Sequence, residues 1–218
     1  REICDRYDVL LIVDEVMTGM GRTGKNFGID HWGVTPDMIV VGKGLSSGYT
    51  PIFVVIVKEE IHTTIRQGSG AFVHGHTYNQ NPLSCAIASA VVDYLLEHDL
   101  ISRAAKVGEY LIQGLQSLRH HDIVGDVRGK GLFAGIEFVR DKRTKDPFDP
   151  KLRVNVLMGN RAFEKGLITY PGGGGADGIR GDHLLLAPPF IITEAQIEKM
   201  VSILDETFAE IAREISSK

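Results

Sequence analysis

Cysteine is almost absent: the 218 residues contain two, Cys4 and Cys85. Two thiols cannot build a disulfide framework, and they fit a reducing cytosol, so a cytoplasmic protein is expected. Long hydrophobic runs are missing as well. The longest, such as Ile52 to Val57, are far too short to cross a bilayer, and no membrane partner is expected. Neither sign of charge dominates: 24 Lys+Arg stand against 28 Asp+Glu, a formal net charge of −4. That mild acidity argues against a nucleic-acid scaffold, whose footprint is a strongly basic face. Internal repeats and linkers rich in Pro or Ser are also lacking. An initiator Met is absent too, and a strand-like run begins almost at once, at Asp8. This start reads as a cut through a domain.

What remains has an ordinary globular balance, 43% hydrophobic and 24% charged, with enough chain for one large domain or two modest ones. One count is high: 25 glycines, a number usually spent on tight turns and close backbone approaches.

Val9 to Val13 is a continuous, β-branched apolar run ending at Asp14-Glu15, which predicts a strand buried on both faces, as in parallel sheets. Met38 to Val41 and Ile52 to Val57 predict two more, and Lys58 to Gln67 a short helix. A polar, aromatic loop runs from Gly68 to Pro82. Helices are expected over Pro82 to Glu97 and Leu100 to Leu118, although Gly108 and Gly114 interrupt the second. Beyond Ile123 the pattern changes to paired strands, Val124 to Arg128 and Leu132 to Val139, around Gly129-Lys130-Gly131. A helix from Leu152 to Lys165 ends at Gly166. Short strands, Leu167 to Tyr170 and His183 to Leu186, flank a glycine-rich loop. Thr193 and Gln196 form a capping box before a helix with one apolar face, from Ile197 to Ile215. The reading is thus part of an α/β layer with a parallel sheet, then a smaller α+β region, joined by the helix near Leu100 to Leu118.

Gly19-Met20-Gly21-Arg22-Thr23-Gly24 satisfies G-x-G-x-x-G after a strand. A dinucleotide fingerprint also needs a helix opening at the third Gly, and residues 25–36 show no helical period. Gly42-Lys43-Gly44 fails as a phosphate loop because no Ser or Thr follows the Lys. Lys43 instead sits at the carboxyl end of a buried strand, where α/β sheets place ligands. It is either a solvated strand-end Lys or an amine that forms a Schiff base, aided by partial desolvation. Asp14 ends the other strand. Taken alone it reads as a cap or turn residue. If the strands are neighbours, the pair offers what pyridoxal phosphate requires: an amine for the aldehyde and an acid for the pyridinium nitrogen. His74-Gly75-His76 and His120-His121 lack a carboxylate or Cys at ligand spacing, so no metal is expected. The first pair is expected to orient a phosphate-binding loop. Cys85, among alanines on a helix, is expected to be a buried small hydrophobe.

The segment Leu11 to Gly24 resembles the cofactor-binding segment of class III pyridoxal-phosphate aminotransferases. The resemblance continues through Thr35-Pro36-Asp37, Gly42-Lys43-Gly44-Leu45, His74 to Pro82, Val127 to Leu132 and Leu186-Ala187-Pro188-Pro189. The chain is most similar to the omega-type members, which use amines or ω-amino acids. The resemblance implies a fold type I transferase: part of the large, mostly parallel domain over residues 1–105 and the small α+β domain over 106–218. It implies Lys43 as the Schiff-base lysine and proton shuttle, Asp14 as partner of the pyridinium nitrogen, and Val16 packed on the ring. Thr77 would donate its hydroxyl to the cofactor phosphate of the neighbouring subunit, so the site would form only in a homodimer. Two positions depart from the pattern. Met17 stands where a Gln usually touches the ring's phenolic oxygen. Leu185 and Tyr170 stand where different members carry an Arg for the substrate carboxylate; Arg180 or Arg128 could substitute. This loss mildly favours an amine or ω-amino acid donor with a keto acid such as pyruvate as acceptor. The resemblance further implies an amino-terminal half, as a separate or missing chain, that grips the phosphate and stacks an aromatic on the ring. An aminomutase or an amino-acid decarboxylase on the same scaffold, and an inactive fragment lacking that half, are the alternatives.

Overall fold

The computed structural model describes residues 1–216. The chain divides into two compact units, Arg1–Ser102 and the part from Arg103 onward.

The first unit opens with a short helix α1 (Glu2–Arg6) and a three-stranded sheet in the order β1-β2-β3: Ile12–Asp14, Met38–Val41 and Val54–Val57. β1 and β2 are parallel, with Ile12 opposite Met38 and Asp14 opposite Val40. Their connection, residues 15–37, is long enough for the crossover that parallel pairing demands. β3 runs antiparallel to β2, with Met38 opposite Val57 and Val41 opposite Val54. The sheet is therefore mixed, one strand pair parallel and the other antiparallel. Residues 42–53 contain only a single 3-10 turn, Lys43–Ser46, and that short path brings the chain back alongside β2 in reverse. The expected burial on both faces is also not met within this chain. Every residue of β3 is exposed and Ile12 is 57% exposed, while Val41 is buried.

Asp37 ties this unit's edges together. Its carboxylate accepts from Arg1 Nη1 at 2.6 Å, Leu11 N–H at 2.7 Å and Lys58 Nζ at 2.7 Å. These donors, Arg1 foremost, hold the carboxyl far below the usual carboxylate range. After β3 come α2 (Glu59–Gln67) and α3 (Pro82–Glu97). Asn81 caps α3 by accepting from Ser84 N–H at 3.1 Å, and Pro82 occupies the first helical position, where its missing N–H costs nothing. Cys85 on this helix is exposed, correcting its expected burial. Ala88 and Leu95 are the residues this helix buries, so Cys85 lies off the covered face.

The second unit closes a four-stranded antiparallel sheet in the order β4-β5-β7-β6: Val124–Lys130, Phe133–Phe138, Asp182–Leu186 and Tyr170–Gly172. The final short strand begins at Tyr170, where the expected one ended. Helices α4 (Leu100–Gln116), α5 (Val154–Glu164) and α6 (Glu194–Ser216) supply the rest of the unit, and the division between units falls inside α4. Leu111, Leu115, Ile136, Phe138, Leu184, Leu204 and Phe208 are fully buried in one cluster. Each such side chain stabilises the fold by about 1.5–3 kcal/mol through apolar burial.

The two glycines that interrupt α4 have packing reasons. A Cβ at Gly108 would lie 2.2 Å from the backbone of Gly131, so helix and hairpin turn meet backbone to backbone. At Gly114 it would press on Val201 of α6 at 3.1 Å. The α6 capping box forms as expected: Thr193 N–H donates to Gln196 Oε1 at 3.0 Å, and Gln196 N–H to Thr193 Oγ1 at 3.3 Å. Among the described residues no helix is long and apolar enough to cross a membrane.

Candidate active site

Asp14 and Lys43 lie at the carboxyl ends of two hydrogen-bonded parallel strands. Asp14 pairs with Val40, Glu15 N–H donates to Val40 O at 2.8 Å, and β2 ends one residue later, just before Gly42-Lys43. Two candidate side chains 29 positions apart in sequence thus lie at the same end of the sheet. Asp14's carboxylate accepts from Val16 N–H at 2.9 Å, a local turn that fixes its orientation. A Cβ built on Gly42 would touch Val16 Cγ1 at 3.6 Å and Phe53 Cβ at 3.7 Å, so an aliphatic and an aromatic side chain border the approach to Lys43. Lys43 begins the 3-10 turn with φ of +41°, a left-handed backbone unusual for a side-chain-bearing residue. Its side chain is exposed, so the desolvation expected of a Schiff-base amine is not supplied by this chain's own residues.

The turn is braced from below. Buried Ser46 donates to Thr50 O at 2.6 Å, Thr50 Oγ1 lies 2.8 Å from Ser84 Oγ, and α3 packs on the turn. Thr77 sits in an exposed turn of the 68–81 loop. Its neighbour His76 makes an edge contact with Phe53 at 6.4 Å between ring centroids, and with His74 at 5.2 Å. Phe53 therefore joins that loop to the Gly42 edge, and Asp14, Val16, Lys43 and Thr77 fall within the first unit. Met17 is exposed, and its thioether offers no hydrogen-bond donor.

Glu15 escaped the sequence reading. It is 2% exposed, and its carboxylate accepts from Gly28 N–H at 2.8 Å, Ile29 N–H at 2.7 Å and the Thr18 hydroxyl. It thereby anchors the loop that follows Asp14. The signal was present: in a strand, the residue after Asp14 faces the opposite way, so a second carboxylate there points inward and needs donors. The same loop holds the G-x-G-x-x-G sequence. Gly21 and Gly24 have φ of +85° and +82°, and no α-helix opens at Gly24, which a dinucleotide site would require.

The remaining candidates lie in the second unit. Tyr170 of β6 is directly opposite Leu185 of β7. The two positions at which a carboxylate-binding Arg was sought are thus cross-strand partners, and neither carries a charge. Arg180 is engaged within its own loop: its Nε donates to Asp177 Oδ2 at 2.7 Å and Nη1 lies 3.9 Å from Asp146. The N–H and guanidinium of Arg180, with Ile179 N–H, pull the Asp177 carboxyl down to about 2. Arg128 Nη1 is held by Asp126 at 2.8 Å and Glu137 at 3.1 Å. The sequence reading also missed a carboxylate beside His120-His121. Asp205 arrives there from α6, a carboxylate that spacing along the sequence does not reveal.

A family model, Aminotransferase class-III, matches residues 1–208. The chain is 44% identical to an uncharacterised aminotransferase, YodT, of Bacillus subtilis (strain 168), over 98% of this chain and 48% of that protein. It is 37% identical to the putrescine–pyruvate aminotransferase of Pseudomonas aeruginosa, over 97% of this chain and 45% of that protein. Among solved structures it superposes on an amine transaminase from an uncultivated Pseudomonas species, in a pyridoxal-phosphate-bound form, with a TM-score of 0.88 and 38% identity. That match covers 96% of this chain and 46% of the other. The chain spans about half the length of the relatives it matches. With strands, turn and loop of the first unit, and sheet and helices of the second, all falling inside these matches, the chain belongs to the class-III aminotransferase family.

Proposed function

We propose that this chain supplies the Schiff-base lysine and the ring-binding carboxylate of a pyridoxal-phosphate-dependent aminotransferase, acting together with a further stretch of polypeptide of similar length. The observation that carries this reading is the position of Asp14 and Lys43 at the same end of adjacent parallel strands. The donor set fits the cofactor: one amine, one oriented carboxylate and an aliphatic side chain beside Gly42. When bound, the cofactor supplies an electrophilic carbon and a ring that withdraws electrons from the substrate carbon.

The chain's own residues do the rest. Lys43 Nζ would hold the cofactor and, as a free amine, would carry the proton that the reaction moves. Asp14, turned by the Val16 N–H, keeps the ring nitrogen protonated. Val16 would pack against the ring, and Met17 would stand where a hydrogen-bonding side chain would otherwise reach it. Thr77 would donate its hydroxyl to the cofactor phosphate of the neighbouring subunit, which would make the working unit a homodimer. The further polypeptide covers the exposed strand faces of the first unit and dehydrates Lys43. The two free thiols suit a cytoplasmic location.

The donor is an amine or ω-amino acid and the acceptor a keto acid such as pyruvate. Uncharged Tyr170 and Leu185, with Arg180 and Arg128 engaged by carboxylates of their own, support this choice over an α-amino acid. The test uses the complete protein. Lys43→Ala is expected to abolish turnover and the borohydride-fixable bond between chain and cofactor, and normal turnover with that bond retained overturns the assignment. In a donor screen with pyruvate, kcat/KM for a terminal diamine should exceed that for an α-amino acid by about tenfold or more, the order of one lost charged contact.

A further inference from the structure

His120 and His121 stand together where the chain leaves a 3-10 turn, Ser117–His120, that follows α4. The fold brings them a carboxylate from 84 residues away. Asp205 Oδ1 lies 2.8 Å from His121 Nε2 and 3.4 Å from His120 Nε2, and all three donor atoms lie within 4.8 Å of one another. We propose that His120, His121 and Asp205 form a binding site for a divalent transition metal, zinc above others, separate from the aminotransferase chemistry and independent of it.

Four features argue for a built site. The first is spacing. Zinc bonds of about 2.0 Å at tetrahedral angles set neighbouring ligand atoms about 3.3 Å apart. The His120–Asp205 separation already matches. The His121–Asp205 separation is shorter because the two atoms share a proton, which a metal ion replaces. The second is tautomer. His120 Nδ1 lies 2.8 Å from Ser117 O. A carbonyl can only accept, so Nδ1 carries a proton, and in the neutral ring Nε2 keeps the lone pair that a metal takes. The third is rigidity. His121 is only 10% exposed and meets Phe208 edge-on at 5.7 Å, while the two imidazoles lie 4.0 Å apart. The fourth is access. His120 and Asp205 line an open groove of about 630 Å³ with Tyr110, Ser117 and Glu198, so the remaining coordination positions can take water.

Two imidazoles with one carboxylate favour a borderline first-row ion over magnesium or calcium, which prefer all-oxygen sets. The nearby cations are turned elsewhere. Lys142 donates to the carbonyl oxygens of Arg119 and His121, and Arg119 lies 3.5 Å from Asp126. A bound ion would clamp the turn after α4 to α6 and stabilise the second unit by mass action.

The test is calorimetric titration of the whole, tag-free chain with zinc chloride, with magnesium chloride in parallel. His120→Gln and Asp205→Asn are the variants, because both side chains are accessible and neither packs in the core. Circular dichroism confirms that they fold. The expected result is one zinc per chain, no magnesium binding, and affinity weakened about tenfold or more in each variant. Cobalt should give visible absorption bands in the wild type that both variants lose. Zinc binding of unchanged affinity in either folded variant, or no stoichiometric binding in the wild type, overturns the site.

Discussion

β3 and β5 are both short apolar strands, and the chain treats them in opposite ways. In β5, Ala134, Ile136 and Phe138 are buried beneath α4 to α6 as members of one closed cluster. In β3, Val54, Val55, Ile56 and Val57 are each more than a third exposed, and Val9, Leu10 and Ile12 nearby are 55–57% exposed. Both strands carry the residue types that burial selects, so the difference lies in what each unit can bring over its sheet. The second unit contains its own cover. The first unit has the sequence of a covered sheet, and its own residues leave much of that sheet exposed.

The sharpest way to break this comparison is a pair of truncations. Phe208→Ala should cost about 3–5 kcal/mol of stability in the whole chain, while Ile56→Ala should cost under about 1, because little apolar area is lost from an exposed site. Urea unfolding reads both, and equal costs would show that β3 is covered after all.

Acid gives the next largest effect, and it should separate the units. The folded-state carboxyl of Asp37 titrates well below its ordinary value of about 3.9, owing to Arg1, Leu11 N–H and Lys58. Its contribution is therefore complete above that ordinary value and disappears as pH falls through the folded one. Amide exchange across β1 and β2 should quicken on acidification, beyond the intrinsic rate change, and Asp37→Asn should remove that pH dependence. Exchange across β5 and β7 should be indifferent to the Asn variant.

A smaller change tests the second unit's self-sufficiency. Thr193→Ala removes half of the α6 capping box and should cost about 1 kcal/mol. A shift in the urea midpoint with unchanged slope is the expected signature. No shift would mean that α6 is held by packing alone.

Much of the second unit was legible because its elements carry local marks. The capping box fixed the start of α6, Gly166 with φ of +88° ended α5, and Gly129-Lys130-Gly131 marked the β4–β5 hairpin, whose two-residue turn is Gly131-Leu132. Pro82 marked the start of α3. The direction of β3 was not legible, since an apolar run reads the same whichever way it lies; only the brevity of residues 42–53 hinted at it. Of the candidate site, Asp14 and Lys43 were legible as strand ends, and the parallel register that joins them needed the fold. Asp177's hold on Arg180 lay three residues away and could have been anticipated as an Asx turn. Asp205 beside His121 could not, because no local pattern links residues so far apart.

Lys43 returns with a different meaning. Its φ of +41° places an L-residue where the backbone crowds its own Cβ, at a cost of about 1–2 kcal/mol that glycine would escape. Lys43→Gly should therefore give a chain that is harder to unfold and that, on the function proposed above, cannot turn over. On that proposal folding and reactivity ask for different side chains at this residue, and an amine stands where ease of folding alone would have placed a hydrogen atom.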